Sequence, residues 1–185
     1  MIRDSDWNGT VVTTYRPDAV VDPDFDGFAE NIGRLGALTG EDTTTWAGYL
    51  AAHCKRRAFF KTFGATPTDH GHATARTEDL PQKVADKLFD KALRGQHSAE
   101  DADRFRGHML TEMARMSLDD GLVLQIHAGS VRNHSKDIVA RFGHDKGYNI
   151  PTQTDYVTAL KPLLNAVGGE AGLTIIVFTL DETSF

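Results

Sequence analysis

Two apolar runs do most to limit what this chain can fold into. Gly121-Leu122-Val123-Leu124-Gln125-Ile126-His127 and Leu173 to Leu180 are strand-length, and helical patterns separate them. A run whose apolar residues scarcely alternate with polar ones suits a strand covered on both faces, as in parallel sheets flanked by helices. Parallel neighbours need long crossovers, and the helices between these runs supply them. Two weaker strand candidates come earlier. Thr10-Val11-Val12-Thr13-Thr14 is β-branched and ends at Arg16-Pro17-Asp18, where proline stops a ladder. Ala65-Thr66-Pro67-Thr68 is a short extended piece leading into Asp69-His70-Gly71-His72. The expected order is β, several α, β, two α, β, α, β. That is an α/β class with about four parallel strands.

More helix separates the first two strands than a crossover needs. Phe25, Phe28, Ile32 and Leu35 recur at three- and four-residue spacing from Asp24 to about Leu38, and Gly40 ends the pattern. Thr43-Thr44-Thr45 offers caps for a second helix through Phe63. Residues 24–63 therefore read as a helix-rich insertion in a single α/β segment spanning 1–185. Asp79 and Pro81 open a third helix with Val84, Leu88 and Leu93 on one side. Ser98 with Asp101 resembles a capping box, and the helix behind it carries a Phe105, Met109, Met113, Met116 stripe, read as core. Helices thus fill about 79–119. A short helix near 136–142 follows, and Thr154 caps another running to about Val167.

Composition excludes several function classes. Hydrophobic residues at 40% and charged ones at 25% are ordinary for a globular protein. No apolar run approaches the ~20 residues of a bilayer span, and the opening residues lack the apolar stretch of a secretory leader. No membrane association is expected. A single cysteine, Cys54, leaves no internal disulfide and fits a reducing cytoplasm. Net charge is −6 with no Lys/Arg stripe, so nucleic acid is not an expected partner. Phosphate-loop, dinucleotide, nucleophile-elbow and Cys-x-x-Cys patterns are missing from the sequence.

Polar groups gather just past the strand ends: Arg16 and Asp18, Asp69 and His70, His127 and Arg132, Asp181 and Glu182. In parallel α/β folds that edge is where ligands bind. Asp69-His70 couples a carboxylate with an imidazole, suited to moving protons, or else forms a turn before Gly71. His127 can offer a neutral imidazole to a divalent metal, or be a hydrogen-bonded core histidine. Arg16 and Arg132 can grip a carboxylate substrate, or be ordinary loop arginines. His72, His134 and His144 read as solvated loop histidines. His53 and Cys54 are adjacent on a helix, so their side chains diverge.

Four strings taken together resemble the uronate (glucuronate) isomerase family of the amidohydrolase superfamily. They are Thr14-Tyr15-Arg16-Pro17-Asp18, Thr68-Asp69-His70-Gly71, Gln125-Ile126-His127-Ala128-Gly129-Ser130-Val131-Arg132-Asn133 and Thr174-Ile175-Ile176-Val177-Phe178-Thr179-Leu180. The first usually begins Trp-Arg-Pro-Asp in that family. The resemblance implies a (β/α)8 TIM barrel, present here as a partial barrel. It also implies an enzyme interconverting glucuronate with fructuronate, or galacturonate with tagaturonate, by proton transfer between C2 and C1. Asp69 and His70 would then be catalytic, Arg16 and Arg132 would bind the hexuronate, and His127 would ligate a divalent metal such as zinc.

Two features of the family are missing. Its opening strand carries a His-x-His metal pair, whereas His70-Gly71-His72 lies in the Asp-His loop. Its last strand supplies a metal-binding aspartate, and a closed barrel needs eight strands. The chain is expected to correspond to a central segment, incomplete as an enzyme, weak in metal binding, and paired through its open edges as a homo-oligomer or with a complementing fragment. Two other readings stay open: a metal-dependent hydrolase of the amidohydrolase type, and a non-catalytic α/β assembly module.

Overall fold

The computed structural model describes residues 8, 9 and 11–184. Its centre is a parallel sheet of β1 (Pro67–His70), β2 (Val123–Ile126) and β5 (Ile175–Val177), in the order β1-β2-β5. Thr68 pairs with Leu124 and His70 with Ile126 in one ladder; Leu124 pairs with Ile175 in the other. β3 (Ser130–Val131) and β4 (Ile150–Pro151) form a separate antiparallel pair. The α/β class is as expected, but among the described residues the parallel sheet has three strands and not about four.

The missing strand is the expected first one. Thr10 lies outside the described residues, and Val11 and Val12 are exposed with no ladder beside them. Only Tyr15 bridges to Thr68, supported by Asp69 N–H donating to the Tyr15 carbonyl at 3.0 Å. The last strand is also shorter than its apolar run, and Ile176, Val177 and Phe178 are exposed because β5 is a sheet edge. A continuous apolar run favours a strand here but does not supply its second neighbour.

The helices follow the sequence signals closely. They are α1 (Asp18–Val21), α2 (Phe28–Thr39), α3 (Trp46–Thr62), α4 (Gln82–Leu93), α5 (Ala99–Asp120), α6 (Lys136–Phe142), α7 (Tyr156–Ala159) and α8 (Lys161–Val167). Phe25 falls in the turn before α2 and is exposed. The Thr45 hydroxyl caps α3, and Ser98 with Asp101 makes a reciprocal capping box on α5. The expected helix after Thr154 is two pieces, capped by Asp155 and broken at Leu160, where Pro162 starts the second. None of the described helices is long and apolar enough to cross a membrane.

Helices α2 to α5 and α8 share one core with β2. Trp46, Tyr49, Phe89 and Phe105 form its aromatic centre, with Tyr49 and Phe89 stacked at 4.5 Å. The α5 stripe Phe105, Met109, Met113 and Met116 is buried, as its spacing requires. Arg57 of α3 is completely buried and ties α3 to the end of α5. Its Nε and Nη2 donate to Asp120 at 2.6 and 2.8 Å, and Nη2 also donates to Ser117. This fastening leaves the C-terminal edge of the sheet free for the polar residues.

Candidate functional site

Alternation along the strands decides which strand-end groups meet. In β1, Thr68 and His70 face the helices and are fully buried, whereas Asp69 turns to the other face. Asp69 pairs with Gln125 in register, so His127, two residues on, shares its face. The His127 Nε2 lies 3.0 Å from Asp69 Oδ2. The carboxylate–imidazole couple is therefore Asp69–His127, a correction to the adjacent Asp69–His70 pairing. His70 bonds instead to the Thr68 hydroxyl at 3.1 Å, and burial holds its pKa well below the usual range.

Arg16 joins this pair from the chain beside β1. Its Nε donates to Asp18 at 2.7 Å and stands 3.7 Å from Asp69. Burial works against its charge, but Asp18 and then Asp69 outweigh that and raise its pKa. Asp18 accepts from the Gly71 amide through its other oxygen at 3.0 Å, so one carboxylate aims the arginine and anchors it to the end of β1. The close packing depends on Gly71. A Cβ there would stand 2.5 Å from His127 Cε1, 2.6 Å from Arg16 Nη2 and 3.0 Å from Asp18 Oδ2.

Arg16, Asp18 and Gly71 also line a groove of about 650 Å³ that runs between the Asp22–Gly27 turn and the loop after β3. Arg132 lines the same groove, with Nη1 3.5 Å from Asp145. Gly129 allows the chain to leave β2 sharply: its φ is +91°, and a Cβ would meet the Thr154 hydroxyl at 2.1 Å. The structure thus brings Arg16, Asp69 and His127 into contact and sets Arg132 on the wall beside them. Asp181 is elsewhere, accepting from the Thr154 and Thr183 amides, and Glu182 opens a 3-10 turn.

A neighbouring cavity of about 840 Å³ is larger but offers less chemistry, because its Arg76 is already bound to Glu78, Glu100 and Asp103. Sequence reading assigned Asp18 only a place near the site and missed its aiming role, as well as the steric need at Gly71. His72 reads as a solvated loop histidine from its sequence context, but it is buried, with its pKa pushed down to about 4 by burial.

Metal donors are few. His127 presents the usual ligand arrangement, one ring nitrogen on a carboxylate and the other available. Yet among the described residues no group of three or more His, Cys, Asp or Glu side chains is placed to hold an ion. These residues do not fit a metal centre on their own.

The sheet edge thus gathers a carboxylate, an imidazole and the Arg16 guanidinium, beside a groove that Arg16 and Arg132 line, at the place where parallel α/β folds bind small molecules. A family model described as glucuronate isomerase matches residues 1–185. Uronate isomerases of Rhizobium meliloti (strain 1021) and Mesorhizobium japonicum are 66% and 64% identical over 184 and 185 residues, each covering 100% of this chain and 39% of the relative. The crystal structure of glucuronate isomerase from Caulobacter crescentus superposes with a TM-score of 0.94 at 50% identity, covering 100% of this chain and 38% of that one. Uronate isomerase from Thermotoga maritima gives 0.87 at 27% identity, over 94% and 39%. The chain belongs to the glucuronate isomerase family, and it spans about 39% of the length of the curated relatives it matches.

Proposed function

We propose that this segment supplies the proton-transfer and carboxylate-binding part of a uronate isomerase. The substrate is a hexuronate such as glucuronate or fructuronate, and the fold it completes is a (β/α)8 barrel. The observation that carries the reading is the Asp69–His127 pair with Arg16 against it at the C-terminal edge of a parallel sheet. Aldose–ketose interconversion needs a group that takes a proton from one carbon and returns it to the next. Asp69 is that group, with His127 fixing its orientation. Arg16 has its Nε on Asp18, and its terminal nitrogens make no hydrogen bond among the described residues, so they meet the uronate carboxylate together with Arg132.

His127 is also this segment's candidate ligand for a divalent metal such as zinc. The remaining ligands would come from outside these residues. The exposed β5 edge, with Val177, Phe178 and Leu180, is where further strands or a complementing fragment would pair.

The test replaces each arginine in the complete protein that carries this segment, as Arg16→Met and Arg132→Met, and measures KM for glucuronate and fructuronate. Loss of a charge-assisted contact raises KM by ~10- to 100-fold per arginine. An unchanged KM in both variants would remove the carboxylate-binding assignment.

A further inference from the structure

The groove has two walls, and they are fixed in different ways. The turn of residues 22–27 is held from behind: Arg106 of α5, itself buried, binds Asp22 at 2.6 Å and Asp24 at 2.7 Å. The facing wall is the loop from Arg132 to Asn149, tied at its base by the β3–β4 ladder. Inside that loop Asn133 is the organising residue. Its side-chain carbonyl accepts from the Asp145 amide at 2.8 Å, which fixes its NH2 toward His144 Nδ1 at 3.2 Å. Asn133 and Asp145 both have left-handed backbone, with φ of 56° and 57°, a conformation asparagine and aspartate tolerate best.

This arrangement dictates a tautomer. Facing an NH2, His144 Nδ1 must accept, so the imidazole proton sits on Nε2. Nε2 lies 3.3 Å from Asp26 on the opposite wall. Among the described residues this polar contact, an N–H facing a carboxylate, is the one that joins the two walls. Asp26, His144, Asn133, Asp145 and Arg132 all line the groove and form one chain of contacts around its mouth.

We infer that His144, oriented by Asn133, is a positioning residue for Arg132: its bridge to Asp26 holds the Arg132 loop across the mouth of the groove and sets where that guanidinium meets the ligand. The inference rests on the reading of Arg132 as a carboxylate-binding group. It gives a role to a histidine whose sequence context suggested only solvent.

Two measurements test it. In the complete protein that carries this segment, His144→Ala and Asp26→Ala each raise KM for glucuronate about three- to fivefold, the scale of an exposed ion pair, with a smaller change in kcat. His144→Gln, which can still place an N–H near Asp26, recovers most of the loss. Because the effect passes through Arg132, His144→Ala adds no further KM change in an Arg132→Met background. A KM unaltered by His144→Ala, or a fully additive double variant, overturns the inference.

The second measurement needs no activity. Amide hydrogen exchange across residues 132–149 is faster in His144→Ala and in Asp26→Ala to the same extent, with no further gain in the double variant; unchanged exchange also overturns it. Failure of the carboxylate-binding reading of Arg132 looks different. In that case Arg132→Met leaves KM unchanged while the exchange result stands.

Discussion

Gly71→Ala adds a single methyl group at the point where Arg16, Asp18 and His127 crowd together, and the structure fixes what must yield. Gly71 is not one of the left-handed glycines, so its backbone accepts alanine without strain. The obstacle is steric. His127 and Arg16 must retreat by about 0.9 and 0.8 Å to bring contacts of 2.5 and 2.6 Å out to the ordinary 3.4 Å. Overpacking costs about 1 kcal/mol where flexible side-chain ends can give way, and the lost freedom of the unfolded chain returns ~0.4–1 kcal/mol. Net stability therefore changes little. Catalysis does not escape so lightly, since a shift of about 1 Å in reacting groups costs on the order of 100-fold. The assay is kcat/KM for glucuronate in the complete protein, beside a thermal melt. The expected result is a fall of roughly 100-fold with a melting temperature within a few degrees of wild type. Wild-type kcat/KM in a folded Gly71→Ala variant would refute the claim that these side chains act together.

Three further outcomes follow from the same structure. Asp120→Ala strips the buried Arg57 of its bidentate partner and should destabilise the fold by ~3 kcal/mol, read from urea unfolding; a loss under ~1 kcal/mol would show that Ser117 suffices to hold the guanidinium. Burial pushes His53 down to about 3 and His72 to about 4, and lowers His70 as well. Unfolded imidazoles bind protons from about pH 6.5, so stability should be full above that pH and fall as pH drops toward 4, by up to ~1.4 kcal/mol per pH unit for each histidine. Urea midpoints that stay level between pH 7.5 and 5 would contradict this. Finally, the 185-residue chain by itself should leave glucuronate unchanged with or without added zinc, because among the described residues no group of His, Cys, Asp or Glu side chains is placed to hold an ion; robust turnover would require a complete site within this chain.

The helices were legible because each of their signals is local. Thr45, Ser98 and Asp101 cap through their own neighbours, and the Phe105–Met116 stripe repeats within one helix. Strands were less legible because a strand is defined by its neighbour. Val11 and Val12 have strand-forming side chains but no ladder, while Tyr15, outside the β-branched run, makes the actual bridge. The site lies between these cases. Arg16, Asp69, His127 and Arg132 could be placed at one sheet edge from strand order alone. Pairing Asp69 with His127 needed the register between β1 and β2, although alternation within β1 already separates Asp69 from His70. The roles of Asp18 and Gly71 rest on close approaches across more than 50 residues of chain, which no local pattern records.

The proposed role of Asp69 is to move the proton between C1 and C2 of a hexuronate. It is tested most directly by following exchange of the substrate C2 hydrogen with deuterated water by NMR, in the complete protein and in its Asp69→Asn variant. Exchange is expected to accompany isomerisation in the wild type, with loss of both by at least ~100-fold in the variant, whose amide keeps the shape but cannot take the proton. Wild-type exchange persisting in Asp69→Asn would contradict it.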